Sequence, residues 1–199
     1  MRDDFFKKNT HSWANNVRKL LQSSGFHEVW LYPGSININV FMPVLRRRLL
    51  DIYISEWNTD INHSTSLYLF REIKTNFEIS DYLNKITNVK FRNTLAKIRL
   101  SSHSLKIEIG RHEKIERHLR KCTLCNLKDI EDEFHFVLVC PNFAELRETY
   151  IERFYYRRPN MFKLTHLLNS SNVRTLNNLA LYCIKAFEKR KYLLEYNYV

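Results

Sequence analysis

Glycine and proline are nearly missing from this chain, with 3 and 4 among 199 residues. A sandwich or barrel of many short strands needs those residues at its tight turns. Their scarcity argues against such folds and for helices joined by polar loops. No long apolar run is present; the stretch Phe134 to Cys140 is interrupted by His135 and too short to span a bilayer. The start, Met1-Arg2-Asp3-Asp4-Phe5-Phe6-Lys7-Lys8, is charged and lacks the apolar core of a secretory signal. Cysteine is sparse at 4, and three of the four fall within nineteen residues, which suits a reducing compartment better than a disulfide scaffold. The expectation is an intracellular protein, nuclear or cytoplasmic, not secreted and with no membrane partner. Without a signal, the glycosylation patterns Asn62-His63-Ser64 and Asn169-Ser170-Ser171 carry no weight.

What the chain does have is apolar content and positive charge. A hydrophobic fraction of 44% makes a packed core feasible for one domain, or one domain with a small appendage. Lys and Arg total 32 against 21 Asp and Glu, a formal charge of +11 that attracts polyanions. RNA, DNA and an anionic membrane all meet that description, and a basic domain can also balance an acidic neighbour.

Helical periodicity is widespread. Residues 11–24 place Trp13, Val17, Leu20 and Leu21 at helical spacing, and Ser23-Ser24-Gly25 ends the run. Residues 26–35 read as a loop around Pro33-Gly34. A second helix is expected over about 36–58, with Val40, Val44, Leu45, Leu49, Ile52, Tyr53 and Trp57 near one face, Arg46-Arg47-Arg48 on the solvent side, and Pro43 as a candidate start. Ser64 is the expected cap of a third helix over 64–75, and Ser80 of a fourth carrying Leu83, Ile86, Val89, Leu95 and Ile98. Ser101 to Ser104 break that run. Leu105, Ile107 and Ile109 then alternate with charged residues, leaving strand and short helix both open, and Gly110 closes the piece. A helix of about fifteen residues follows Pro141, with Phe143, Leu146, Tyr150 and Phe154 as its stripe and Pro159 as its stop. A last helix covers about 174–194.

One constellation can be read as chemistry. Cys122-x-x-Cys125, His135 and Cys140 form a C-x2-C-x9-H-x4-C pattern. Three thiols and an imidazole make a full tetrahedral set for Zn²⁺, leaving no position open for substrate, so a structural ion is expected. Asp129 can cap a short helix that projects His135. Cys140 lies five residues on, about 140° round an ideal helix. Pro141 pushes Cys140 out of the helical region and lets it turn back to the ion. Arg120, Lys121 and Lys128 can offset the −1 charge of the loaded site. The alternative is three buried thiols and a satisfied histidine.

Residues 92 to 147 resemble the zinc-binding region downstream of the polymerase in reverse transcriptases of non-LTR (LINE-like) retrotransposons. The matching residues are Arg99, His103, Leu105, Gly110-Arg111, Arg117, Cys122-x-x-Cys125, Glu131-Asp132-Glu133-x-His135, Cys140-Pro141 and Arg147. The stretch from Trp13 to Gly110 looks more loosely like helical segments preceding that region. The polymerase's Tyr/Phe-x-Asp-Asp motif is not found, and no Pro-Asp follows Cys140 as a restriction-like nuclease would require. The resemblance therefore implies a non-catalytic C-terminal fragment whose role is RNA or DNA binding.

The segment 90–121 supports that role, with ten basic residues against three acidic, or +7. Arg92, Lys97, Arg99, Arg111, Arg117, Arg120 and Lys121 are the candidate nucleic-acid-binding residues, a surface that would track a backbone with little sequence preference. Tyr150, Phe154, Tyr155, Tyr156, Arg157 and Arg158 interleave rings and cations as single-strand binders do; the helical stripe instead makes Tyr150 and Phe154 core. His112-Glu113 and His118 lack the spacing of a zincin helix, and Cys183 reads as an inert core thiol.

The sequence thus predicts a mostly α protein: a helical array with a small CCHC zinc-knuckle-like module, divided as residues 1–110, 111–141 and 142–199. Its expected function is non-enzymatic binding of RNA or DNA. The alternative is a structural or protein-interaction remnant in which zinc only stabilises the fold.

Overall fold

The computed structural model describes residues 13–196. The charged start Met1 to Lys8 and the first residues of the expected 11–24 helix lie outside them. The chain is mostly α, and no strand occurs among the described residues. Two compact units, Met1–Asp60 and Ile61–Val199, divide it. The metal-ligand segment belongs to the second unit and is not a body of its own.

In the first unit, α1 (Trp13–Ser23) packs on α2 (His27–Leu31). The loop expected over 26–35 therefore contains a helix. Gly25, at φ 85°, ends α1 in the left-handed conformation that glycine adopts without steric cost. Phe26 N–H bonds the Leu21 carbonyl at 2.7 Å and Gly25 N–H that of Gln22 at 3.2 Å, the Schellman arrangement. α3 (Ile38–His63) begins after Asn37, whose side chain accepts from Asn39 N–H at 3.0 Å. Pro43 does not start this helix but lies inside it, where it removes one backbone donor while the turns on either side continue. The apolar face expected over 36–58 is only partly used: Leu45 is buried, whereas Val40, Val44 and Tyr53 are exposed.

The second unit is assembled around α11 (Val173–Tyr196), which buries Leu176, Leu179, Ala180, Cys183 and Ala186 along one stripe. Asn172 starts it, its side-chain oxygen accepting from Arg174 N–H at 2.9 Å. Against α11 pack α5 (Asp81–Lys85), α6 (Val89–Arg99), α8 (Ala144–Tyr150) and α10 (Met161–Leu168). α4 (Tyr68–Ile73) bridges α6 and α10. Ser64 does not cap α4; its hydroxyl pairs with that of Ser66 at 3.1 Å, and Leu67 holds the cap position. The single helix expected after Ser80 is two. The chain turns extended at Ile86, which is buried, and Asn88 caps α6 by accepting from Phe91 N–H at 3.2 Å.

Of residues 105–109, left open between strand and helix, Leu105 is the extended cap residue and 106–109 belong to α7 (Lys106–His112). Gly110 does not close that segment but sits within it, because Arg120 lies across it. A Cβ there would come within 2.7 Å of Arg120 Cγ. The long helix expected after Pro141 is also two pieces, α8 and α9 (Arg153–Tyr156), separated at the buried, extended Ile151.

Candidate metal centre

Cys122 and Cys125 sit on a tight knuckle closed at its base by backbone pairing. Cys122 N–H bonds the Asp129 carbonyl and Glu131 N–H the Arg120 carbonyl, both at 2.9 Å, and Lys121 bridges Ile130 in antiparallel register. Lys128 takes a left-handed conformation, φ 57°, at the end of the loop. This short ladder delivers both sulfurs to one side.

His135 and Cys140 come from the next segment by a device the sequence reading missed. Residues His135–Val139 form a π-helical turn, in which Cys140 N–H bonds the His135 carbonyl at 2.7 Å. An i to i+5 bond widens the turn, so residues five apart approach the same side where an α-helix would separate them. Cys140 itself has ψ 122°, the extended conformation expected before Pro141. Asp132, not Asp129, caps the turn, its Oδ1 accepting from His135 N–H at 3.0 Å.

Such a turn leaves carbonyls without intrahelical partners, and buried side chains meet them. Tyr182 Oη donates to the Phe136 carbonyl at 2.6 Å. Arg147, itself buried, donates from Nε to the Val137 carbonyl at 2.9 Å and from Nη2 to that of Cys140 at 2.7 Å. The packing of α8 and α11 thereby holds the ligand turn in shape.

The four ligand atoms lie within 4.8 Å of one another. Zn–S bonds of about 2.3 Å and Zn–N bonds of about 2.0 Å in a tetrahedron imply separations of about 3.8 Å between sulfurs and about 3.5 Å between sulfur and nitrogen. Cys125 Sγ and His135 Nε2 are 3.4 Å apart. His135 Nδ1 is buried without a hydrogen bond and lies 3.6 Å from Asp129 Oδ2, the position from which a carboxylate orients a metal-bound imidazole. A hydrogen bond from Cys140, with further ones from His135 and the Leu124 backbone, holds the Cys122 thiol far below its usual range. Cys140, as the donor to Cys122, is raised, and burial raises Cys125. The cluster therefore favours a thiolate, the form that binds metal. Donor set, spacing and charge all fit a metal ion, with every tetrahedral position supplied by the protein.

Around the cluster the acidic run is almost wholly engaged. Glu131 makes a two-point ion pair with Arg190 of α11 and accepts from Lys106 N–H at 2.8 Å. Burial would raise Glu133, but hydrogen bonds with His103 at 2.9 Å and from Ser101 outweigh it and leave the carboxyl below its ordinary range. Arg117 Nη2 is 3.4 Å from Asp132 Oδ2, and its guanidinium lies 4.3 Å over the Tyr68 ring.

The seven basic candidates fall into two groups. Arg99 is only 3% exposed; it donates to the Leu168 carbonyl at 2.8 Å and to Asn169 Oδ1 at 3.1 Å and lies over Tyr82. Arg120 donates to the carbonyls of Ile115 at 2.8 Å and Ile107 at 2.9 Å. Arg111 is paired with Glu108 at 2.8 Å, Arg117 with Asp132, and Arg92 reaches the Ile86 carbonyl at 3.3 Å. Lys97 and Lys121 are exposed. Arg99 is thus an internal brace, the other four arginines are half-buried and engaged within the chain, and the lysines stay open. Arg147, named above only for the resemblance, and Arg190 are further internal struts.

Among the described residues no helix is long and apolar enough to cross a membrane. No protein family, curated protein or solved structure matches the chain.

Proposed function

We propose that this protein is a non-catalytic module, stapled by one structural Zn²⁺, that binds nucleic acid through its positive surface, as the C-terminal fragment of a retrotransposon-type reverse transcriptase would. The observation that carries the reading is the convergence of Cys122, Cys125, His135 and Cys140 within 4.8 Å. Three thiolates and one imidazole favour zinc over harder cations, and four protein ligands leave no position for substrate or activated water. A structural zinc is worth about 10–16 kcal/mol in small fingers, enough to organise a knuckle with little core of its own. The charge of +11 supplies long-range attraction for a polyanion.

The engagement of Arg99, Arg111, Arg117 and Arg120 by partners within the chain favours a second reading, in which zinc only fastens the helical unit and the protein ignores nucleic acids. Anisotropy titrations with single-stranded RNA and duplex DNA across salt separate the two. Binding that weakens steeply with salt supports the first; no binding at physiological salt supports the second.

A further inference from the structure

The rings and cations after α8 are arranged differently from the stripe that periodicity suggests. Tyr155 is buried, while Phe154 is 57% exposed and Phe162, at the start of α10, is 69% exposed. Both phenylalanines flank His166, with ring centroids 6.4 and 6.1 Å from the imidazole. Tyr155 Oη and His166 Nδ1 are 3.2 Å apart, a bond that orients the imidazole from below.

The corner is also braced by hydrogen bonds. Asn160 caps α10, accepting from Lys163 N–H at 2.9 Å. Lys163 Nζ bonds the carbonyls of Phe154 and Arg157 at 2.7 and 2.6 Å and lies 4.7 Å from the Phe154 centroid. Arg153, Arg157 and Arg158 are exposed and have no carboxylate partner among the described residues. Two exposed aromatic rings, Phe154 with Lys163 over one face and Phe162, on a braced turn with three unpaired guanidiniums match an unpaired, stacked polyanion.

We propose that the α9–α10 corner is a stacking platform for single-stranded RNA, with Phe154 and Phe162 receiving bases and Arg153, Arg157 and Arg158 meeting phosphates. The proposal rests on the nucleic-acid reading above and assigns it a place. RNA is the partner because it presents unpaired bases without prior unwinding. A membrane surface fits less well: α9 has four residues and α10 eight, and α10 turns Leu164, Leu167 and Leu168 into the core.

The test is anisotropy with a labelled oligouridine, using the full chain and a Phe154→Ala/Phe162→Ala variant. The variant is expected to bind RNA about ten-fold or more weakly, with an unchanged melting temperature and unchanged binding to duplex DNA. Should the alanines disturb folding, Phe154→Leu/Phe162→Leu keeps the apolar bulk, removes the π faces and is expected to show the same loss. Replacing the three arginines by glutamine should flatten the salt slope by about 2. RNA affinity that survives the loss of both rings overturns the platform alone. So does binding to phosphatidylserine vesicles that needs the rings while RNA binding ignores them. No RNA binding by the native protein overturns both the platform and the reading beneath it.

Discussion

Arg190 and Glu131 form a parallel two-point ion pair, Nε to Oε1 and Nη2 to Oε2 each at 2.8 Å, with side chains 4% and 2% exposed. One residue lies on the last helix and the other between the two halves of the metal-ligand set. The pair joins the cluster to the main core. Arg190→Leu would leave a buried carboxylate without its cation, which costs about 3–5 kcal/mol. Urea unfolding should show that loss, and Arg190→Leu/Glu131→Leu should cost less than the two single changes added together. A near-neutral Arg190→Leu would contradict the role given to the pair.

Gly110 bears on the same region. Alanine in a helix is ordinarily preferred to glycine by about 0.5–1 kcal/mol. Here the added methyl would meet Arg120 Cγ at 2.7 Å and Cδ at 3.0 Å, on a side chain tied at its far end to two carbonyls. Overpacking of this kind costs about 1–3 kcal/mol, so Gly110→Ala should destabilise. In an Arg120→Ala background the same change should become neutral or stabilising. Thermal unfolding of the four proteins in that cycle decides it.

The thiols should titrate in steps. Burial pushes the Cys183 thiol up to about 12, away from the other three. With metal bound, no cysteine should react quickly with a thiol reagent. A chelator should release three, and denaturant the fourth. Rapid reaction of Cys183 in the native, chelated protein would contradict its place in the core.

That same thiol gives the stability curve an alkaline limb. Its folded value is raised above the ordinary 9.0, so the folded chain keeps a proton that the unfolded chain releases. The contribution is complete below pH 9.0 and declines as pH climbs toward about 12, at about 1.4 kcal/mol per pH unit for one proton. Cys183→Ala should lower overall stability and flatten this limb by one proton. An unchanged slope would show that the thiol does not titrate in this way.

Much of this site can be read from the chain, because ligand chemistry depends on residue type and spacing. Cys122, Cys125, His135 and Cys140 converge as their spacing suggests. The route by which His135 and Cys140 meet is less legible. A π turn needs its carbonyls met from outside, and the residues that meet them, Tyr182 and Arg147, stand elsewhere in the sequence. The cap is hard to read for a similar reason: Asp129 and Asp132 are both acceptable caps, and tertiary packing selects Asp132. Charge is the least legible feature. Arg99 reads as a surface cation until Leu168 and Asn169, some seventy positions away, fold over it. Helical period alone set Phe154 in the core, but the break at Ile151 rotates the following turn and buries Tyr155 instead.

On the proposed reading, one ion joins Cys122, Cys125, His135 and Cys140 as a scaffold. Elemental analysis of reduced, purified protein without an affinity tag tests it most directly. One zinc per chain, lost in Cys140→Ser together with the fold of the knuckle, is the expected result. A native protein that is folded and carries no stoichiometric metal would contradict it.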